Sequence, residues 1–275
     1  MAKIIIDSGK KFRGLGLREL IASRDLFYTL AWRDFKIRYS QTFIGVLWGV
    51  LQPAVQITVL WLVFSHFVGI NTNGTPYLAF LLCGLSPWSF FSFVVNNSGN
   101  SIIGAQDMVK KVYFPRLVIP ISKAALGLID FTIYLSILFI ILANYHIVPP
   151  AQVFFLPLFI LMNVIAALSV GIWLSALSIR YRDFQFIIPI MVQLGFYVTP
   201  VIYPAERVIN GLPKWATYIY FLNPMAGIIQ GFRWCLLDAP PPSEYAYISF
   251  GIIGLIFISG IYFFRRVEYV MSDII

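Results

Sequence analysis

Charge is the scarcest ingredient of this chain. Only 12% of its 275 residues are Asp, Glu, Lys or Arg, about half the share found in an ordinary soluble domain, and that deficit excludes a water-soluble globule. Cysteine is nearly absent. Cys83 and Cys235 lie far apart and match no CxxC or metal-binding spacing, so the simpler reading is two buried free thiols. Histidine is equally rare: His66 and His146 form no HExxH pair. With DxD and paired-cysteine patterns also missing, metal-dependent hydrolysis and metal-dependent glycosyl transfer lack their residues. No GxxxxGK[ST] loop occurs, so the chain does not itself grip a nucleotide in that fashion. If its work is powered, the engine is another polypeptide. A cleavable signal peptide is not expected either, because the first long apolar run begins only near Phe43.

What the chain has in abundance is apolar surface, at 59% of residues, together with 25 Phe, 15 Tyr and 7 Trp. Several runs reach the roughly 20 apolar residues that carry an α-helix across a hydrocarbon layer of about 30 Å. The reading is an all-α integral membrane protein with six transmembrane helices: Phe43 to Ile70, Tyr77 to Ile102, Leu117 to Tyr145, Val153 to Ile179, Phe184 to Tyr203 and Ala246 to Phe264. Ahead of them, Leu17, Leu20, Ile21, Phe27, Leu30, Ala31 and Phe35 recur at helical spacing among charges, the pattern of an amphipathic helix lying at the membrane interface. Trp215 to Leu237 is apolar too, but Asn223-Pro224, Gln230 and Arg233 break it, so it reads as short re-entrant helices between spans five and six. The whole is one domain: residues 1–42 interfacial, 43–264 the six-span bundle, 265–275 a tail.

Charge distribution sets the orientation. With six spans, every Lys and Arg falls on one side except Arg207, Lys214 and Arg233 on the other and Lys123 inside the third span. Basic residues gather in the cytoplasm, which places both termini there. The net charge of +8 is therefore a topology signal and not a nucleic-acid footprint. A further cluster stands out. "DMVKKVYFPR" (107–116) puts two lysines, an arginine and an aspartate into a short cytoplasmic loop between spans two and three. Lipid headgroups account for its charges but not for its Tyr-Phe-Pro element.

Within the spans, Gly45 and Gly49, and Ala167, Gly171 and Ser175, recur at four-residue steps that let helix backbones approach closely. Gln52 and Gln56 continue the Gly45–Gly49 side, and polar amides at that depth face protein or water, either as packing contacts or along a translocation path. Asp130 falls near the middle of span three, where an ionised carboxylate is costly by about 2.5–3.5 kcal/mol; it either serves function or fixes a helix contact. Ser86 in "GLSP" has no base in its vicinity of sequence, which leaves a serine nucleophile unsupported.

In order along the chain, "WRDFKIRYSQTFIGVLWGVLQP" (32–53), "FLLCGLSPWSFF" (80–91), "KKVYFPRLVIP" (110–120), "YRDFQFIIP" (181–189), "TPVIYP" (199–204) and "LNPM" (222–225) resemble the polysaccharide-export branch of type-two ABC exporter permeases. That family's members export O-antigen, capsular polysaccharide or teichoic acid across the bacterial inner membrane. The resemblance implies a homodimer, two copies of a separate ATPase that binds ATP and Mg, no cofactor in this chain, and a substrate on a lipid carrier, usually undecaprenyl diphosphate. It implies that Lys110, Lys111, Val112, Tyr113, Phe114 and Arg116 receive motion from the ATPase, and that Asn223, Pro224 and Met225 belong to an extracytoplasmic gate. Gln52, Gln56, Trp88, Phe91, Asp130, Phe196, Tyr197 and Tyr203 become candidates for the substrate path, since rings stack on saccharide faces without demanding one sugar sequence. Arg33, Lys36 and Arg38 become candidates for the carrier's diphosphate, competing with plain headgroup anchoring. Two rivals stay open: an exporter of drugs or small lipids on the same architecture, and a membrane-embedded enzyme of glycan assembly.

Overall fold

The computed structural model describes residues 21–39, 47–70, 72, 74–112, 114–268 and 271, and among them every regular element is helical. The chain enters through α1 (Arg24–Tyr39), which carries Asp25 in its first turn and Lys36 and Arg38 in its last. That polarity opposes the helix dipole at both ends. Next comes α2 (Trp48–Trp61), which widens into a π-helical turn at Leu62–Phe67. Then α3 (Tyr77–Gly99) follows Pro76 and keeps Pro87 in its interior. Two short helices, α4 (Ser101–Gly104) and α5 (Gln106–Lys111), lead to α6 (Val118–Asn144). A 3-10 turn at Ala151–Phe155 opens α7 (Leu156–Arg180), and α8 (Phe184–Val198) follows after a tight corner.

The remaining elements are α9 (Ala205–Gly211), α10 (Lys214–Tyr220), α11 (Pro224–Leu237) and α12 (Ala246–Glu268). Asn223 starts α11, its Oδ1 accepting the Met225 N–H at 3.0 Å, with Pro224 in the first turn where no N–H is needed.

Among the described residues, five helices are long and apolar enough to cross a membrane: Trp48–Phe67, Tyr77–Gly99, Val118–Asn144, Ala151–Arg180 and Ala246–Glu268. The expected fifth span differs. It stops at Val198 instead of Tyr203, because Thr199 precedes Pro200 and is pushed to an extended conformation (ψ 144°). At 15 residues α8 measures about 22 Å. The second expected span also stops early, at Gly99, whereas the last runs on to Glu268. Gly45 and the expected positions before Ile21 lie outside the described residues.

At the centre stands α3, most of its residues buried, wrapped by α6, α7, α8 and α11. Rings of Phe90, Phe131 and Phe232 join α3, α6 and α11, with centroids 5.7 and 6.2 Å apart. Small residues set the closest approaches: a Cβ on Gly171 would meet Ser98 at 2.8 Å, so the Ala167–Gly171–Ser175 stripe is the face α7 turns to α3. By contrast α2 is almost uncovered, exposing Val50, Leu51, Val55, Val59 and Leu62, and α8 exposes Phe186, Ile190, Met191 and Leu194.

Candidate functional site: a polar trough on the central helix

The polar face of α3 floors a trough. Its first part, a cavity of about 240 Å³, is walled by Gly49, Gln52, Pro53 and Gln56 of α2 and by Asp130 and Tyr134 of α6. Arg38 of α1 closes it, and Trp88, Ser89, Ser92, Phe93, Asn96 and Asn97 lie beneath. Its second part, an open groove of about 560 Å³, runs between Gln56, Val59 and Leu60 of α2 and Pro189, Val192, Gln193, Phe196 and Tyr197 of α8. Gln56, Trp88, Ser92 and Asn96 belong to both, so the two are continuous.

Local sequence explains how an apolar helix tolerates such a stripe. Ser89, Ser92, Asn96, Asn97 and Asn100 give their side-chain hydrogens back to carbonyls three or four residues earlier, at 2.8 to 3.3 Å. The helix so takes up these donors itself, while Oδ1 of Asn96 and of Asn100 stays without a hydrogen-bond partner among the described residues. On the neighbouring wall the Tyr134 hydroxyl donates to Gln56 Oε1 at 2.9 Å. Rings complete the lining: Trp88 lies 6.0 Å from Phe196, which meets Tyr197 edge-on at 5.3 Å.

Charge appears at one end only. Arg38 Nη1 lies 2.8 Å from Asp130 Oδ2, and its guanidinium covers the Phe93 ring at 4.9 Å. A second pair with the signs reversed, Lys123 Nζ to Asp34 Oδ2 at 2.5 Å, joins the same helices. Together they pin α1 along α6 and answer for both charged residues inside that span: Asp130 and Lys123 are ion-paired to α1.

The far end of the trough abuts a turn held from several sides. Three successive carbonyls are taken: Val201 by Arg233 Nη2 at 2.7 Å, Ile202 by the Tyr77 hydroxyl at 3.0 Å, and Tyr203 by Arg233 Nη1 at 3.3 Å. Arg233 is 4% exposed and stacks on Phe80 at 3.6 Å. Gly84 makes room, since a Cβ there would lie 2.6 Å from the Val201 oxygen. Asn223 Nδ2 donates to Thr199 Oγ1 at 2.7 Å, which joins the "TPVIYP" and "LNPM" motifs directly.

At the opposite end, α5 shows Lys110, Lys111 and Val112 to the outside while Val109 is buried in the bundle; Phe114 packs against the same core, and Tyr113 lies outside the described residues. The helix ends at Lys111, before the Tyr-Phe-Pro element.

Of the sequence-chosen path residues, Gln52, Gln56, Trp88, Asp130, Phe196 and Tyr197 line the trough. Phe91 does not: it is buried behind Trp88, 5.5 Å away. Tyr203 sits in the turn, its hydroxyl donating to the Val198 carbonyl at 2.8 Å and meeting Tyr220 at 3.2 Å. Among the basic candidates only Arg38 reaches the trough. Arg33 pairs with Asp34 at 3.0 Å, and Lys36 lies 5.9 Å over Trp32. Sequence reasoning missed Ser89, Ser92, Asn96 and Gln193, although the first three recur at the three-to-four spacing of one helical face. Ser86 gives its hydroxyl to the Leu82 carbonyl at 2.5 Å, and Cys83 and Cys235 are buried free thiols.

Comparison with known proteins points to one family of transporters. The family described as ABC-2 type transporter matches residues 25–237. The O-antigen export system permease protein RfbA of Myxococcus xanthus is 27% identical over 259 residues, covering 93% of this chain and 98% of its own. Its namesake from Klebsiella pneumoniae is 27% identical over 252 residues, with 91% and 95% covered. The polysialic acid transport protein KpsM of Escherichia coli is 24% identical over 228 residues, with 80% and 81% covered.

Proposed function

Because the chain belongs to the ABC-2 type transporter family of membrane proteins, we propose that it is the permease subunit of an ATP-driven exporter. Its cargo is a lipid-linked polysaccharide of the O-antigen class, moved across the bacterial inner membrane. It performs transport, and ATP with Mg is bound and hydrolysed by a partner subunit present in two copies. The names of the relatives, O-antigen and polysialic acid transport proteins, support the cargo class.

The observation that carries the reading is the lining of the trough. Neutral hydrogen-bonding groups (Gln52, Gln56, Ser89, Ser92, Asn96, Gln193) alternate with rings (Trp88, Phe196, Tyr197). Amides and hydroxyls suit a polymer of hydroxyl groups, and ring faces stack on flat apolar patches without sequence preference, as they do on bases in single-strand channels. A path for drugs or small lipids needs no such amide stripe. The glycan-assembly enzyme fares worse, because the sequence carries no DxD, HExxH or paired-cysteine pattern for its chemistry.

In this reading α8 is a sixth crossing completed by the Thr199–Tyr203 turn, both termini are cytoplasmic, α1 is the interfacial helix, and α9 to α11 form the gate on the outer side. The uncovered faces of α2 and α8 flank the trough and receive a second copy, which closes the conduit. Arg38, at the inner mouth, is the group that meets the carrier's diphosphate. The exposed face of α5, with Lys110, Lys111 and Val112, docks on the ATPase.

The test is copurification followed by depletion. The tagged chain is expected to bring down a nucleotide-binding subunit, and its depletion to trap undecaprenyl-linked glycan in the cytoplasm. Export that continues without any hydrolysing companion would overturn the proposal.

A further inference from the structure

The last helix takes no part in the trough, yet both its ends are clasped to segments that do matter. At the basic end, Glu268 holds Arg116 by two hydrogen bonds and is itself steadied by Arg265. Its Oε1 accepts the Arg116 backbone N–H at 3.0 Å, its backbone carbonyl accepts Arg116 Nη1 at 2.9 Å, and its Oε2 pairs with Arg265 Nη1 at 2.8 Å. Backbone and side chain of both residues are engaged, so a rotamer change alone cannot absorb a displacement of Arg116. The carboxylate also sits where α6 begins, at the positive end of its dipole, a favourable place for negative charge. Around the clasp Val109, Leu117, Val118, Phe264, Val267 and Met271 share one apolar cluster.

At the other end, Ser249 lies three residues from Ala246, the buried start of the same helix. Its hydroxyl, with one proton to give, is 2.8 Å from the Phe221 carbonyl and 2.9 Å from that of Asn223. Asn223 is the residue that caps α11 and donates to Thr199 at the end of α8. A Cβ on Gly227 of α11 would fall 3.0 Å from the Ala246 oxygen, so α11 and α12 touch backbone to backbone here. Ser249 and Glu268 are one helix apart, about 28 Å at 1.5 Å per residue, and between them Trp173 stacks on Phe263 at 4.8 Å, keeping α12 against α7.

We infer that α12 is a push-rod, with Glu268 and Ser249 as positioning residues: displacement of the α5 segment enters through Arg116–Glu268, travels along an unbroken helix, and is delivered to the turn that fixes Asn223 and Thr199. The inference rests on the proposed exporter function, and it adds a second transmission line beside α6. A helix can carry such motion because its hydrogen-bonded backbone resists axial compression while its clasped ends move together.

The experiment uses the full chain assembled with its hydrolysing subunit in native membranes, reading ATP consumed and glycan exported separately. Glu268→Ala and Ser249→Ala are each expected to keep ATP hydrolysis near the unaltered rate and to lower glycan exported per ATP by about five- to tenfold. The double variant is expected to be no worse than either single, since both cut one line, and Glu268→Gln, which still accepts the Arg116 N–H, to recover part of the loss. Wild-type export per ATP in both alanine variants would overturn the inference, as would losses that multiply in the double variant. A proportional fall in hydrolysis and export would overturn it too, because that marks a merely structural role. If the unaltered chain neither binds a hydrolysing subunit nor exports glycan, the exporter reading itself falls, and the two failures are thereby distinguished.

Discussion

Arg38 and Asp130 meet at 2.8 Å across one end of the trough, about one turn further along α1 and two turns further along α6 than the Asp34–Lys123 pair that joins the same two helices. Removing one partner strands the other charge at membrane depth. With the Arg38 side chain 31% exposed, the destabilisation from Asp130→Ala is expected to be about 1–3 kcal/mol, below that of a fully buried pair. Exchanging the two residues, Arg38→Asp with Asp130→Arg, should recover most of that stability, as read by thermal unfolding in detergent. If Arg38 also meets the carrier's diphosphate, the exchanged protein should remain folded and still fail to export. Full export by it would remove Arg38 from the substrate path.

The trough predicts a pattern of chemical access. In a cysteine-free background, Ser92→Cys and Gln193→Cys are expected to react with a water-soluble maleimide, whereas Phe91→Cys, buried behind Trp88, is expected to stay unreactive. Uniform silence of the trough positions would show that water does not reach them and that they line no conduit.

How much of this was readable beforehand depends on which physical signal each feature leaves. Five of the spans were legible because an apolar run of about 20 residues has few other uses. The ends of the expected spans were not, since α8 stops at Val198 through the local effect of Pro200 on Thr199, and α3 stops at Gly99 with no sequence change loud enough to mark it. Asp130 was visible as an anomaly, but its partner stands on α1, and no spacing rule connects residues 38 and 130. The "TPVIYP" and "LNPM" motifs were seen as separate strings; that Asn223 donates to Thr199 follows only from the chain reversal between them. Aromatic residues misled in one case, because Phe91 and Trp88 share an apolar helix and only packing decides which of them faces the trough.

Arg233 holds the Val201 and Tyr203 carbonyls from inside the protein. Its replacement by Ala leaves both without a donor, and each buried carbonyl so orphaned is worth about 1–3 kcal/mol. Arg233→Lys keeps the charge but not the planar fork that reaches two oxygens at once. Hydrogen exchange is expected to accelerate across residues 199–204 in both variants, more in Ala than in Lys, while α6 stays protected. Unchanged exchange in that turn would mean that the Tyr77–Ile202 contact suffices to hold it.

Close helix contact gives the last expectation. Gly231 of α11 faces the Phe159 ring, and a Cβ at that position would lie 2.1 Å from the ring edge, far inside contact distance. The ring is itself held by Trp234 and Phe250, at 6.4 and 6.1 Å, so it has little room to retreat. Gly231→Ala should therefore separate α11 from α7 and lower stability by about 1–3 kcal/mol, the range for overpacking a tight core. Combining it with Phe159→Leu removes the obstruction and should return part of the loss, which a thermal-shift series on the four proteins would reveal. Gly251, by contrast, has open space where a Cβ would go, so Gly251→Ala should leave stability unchanged or raise it slightly, as alanine favours the helix.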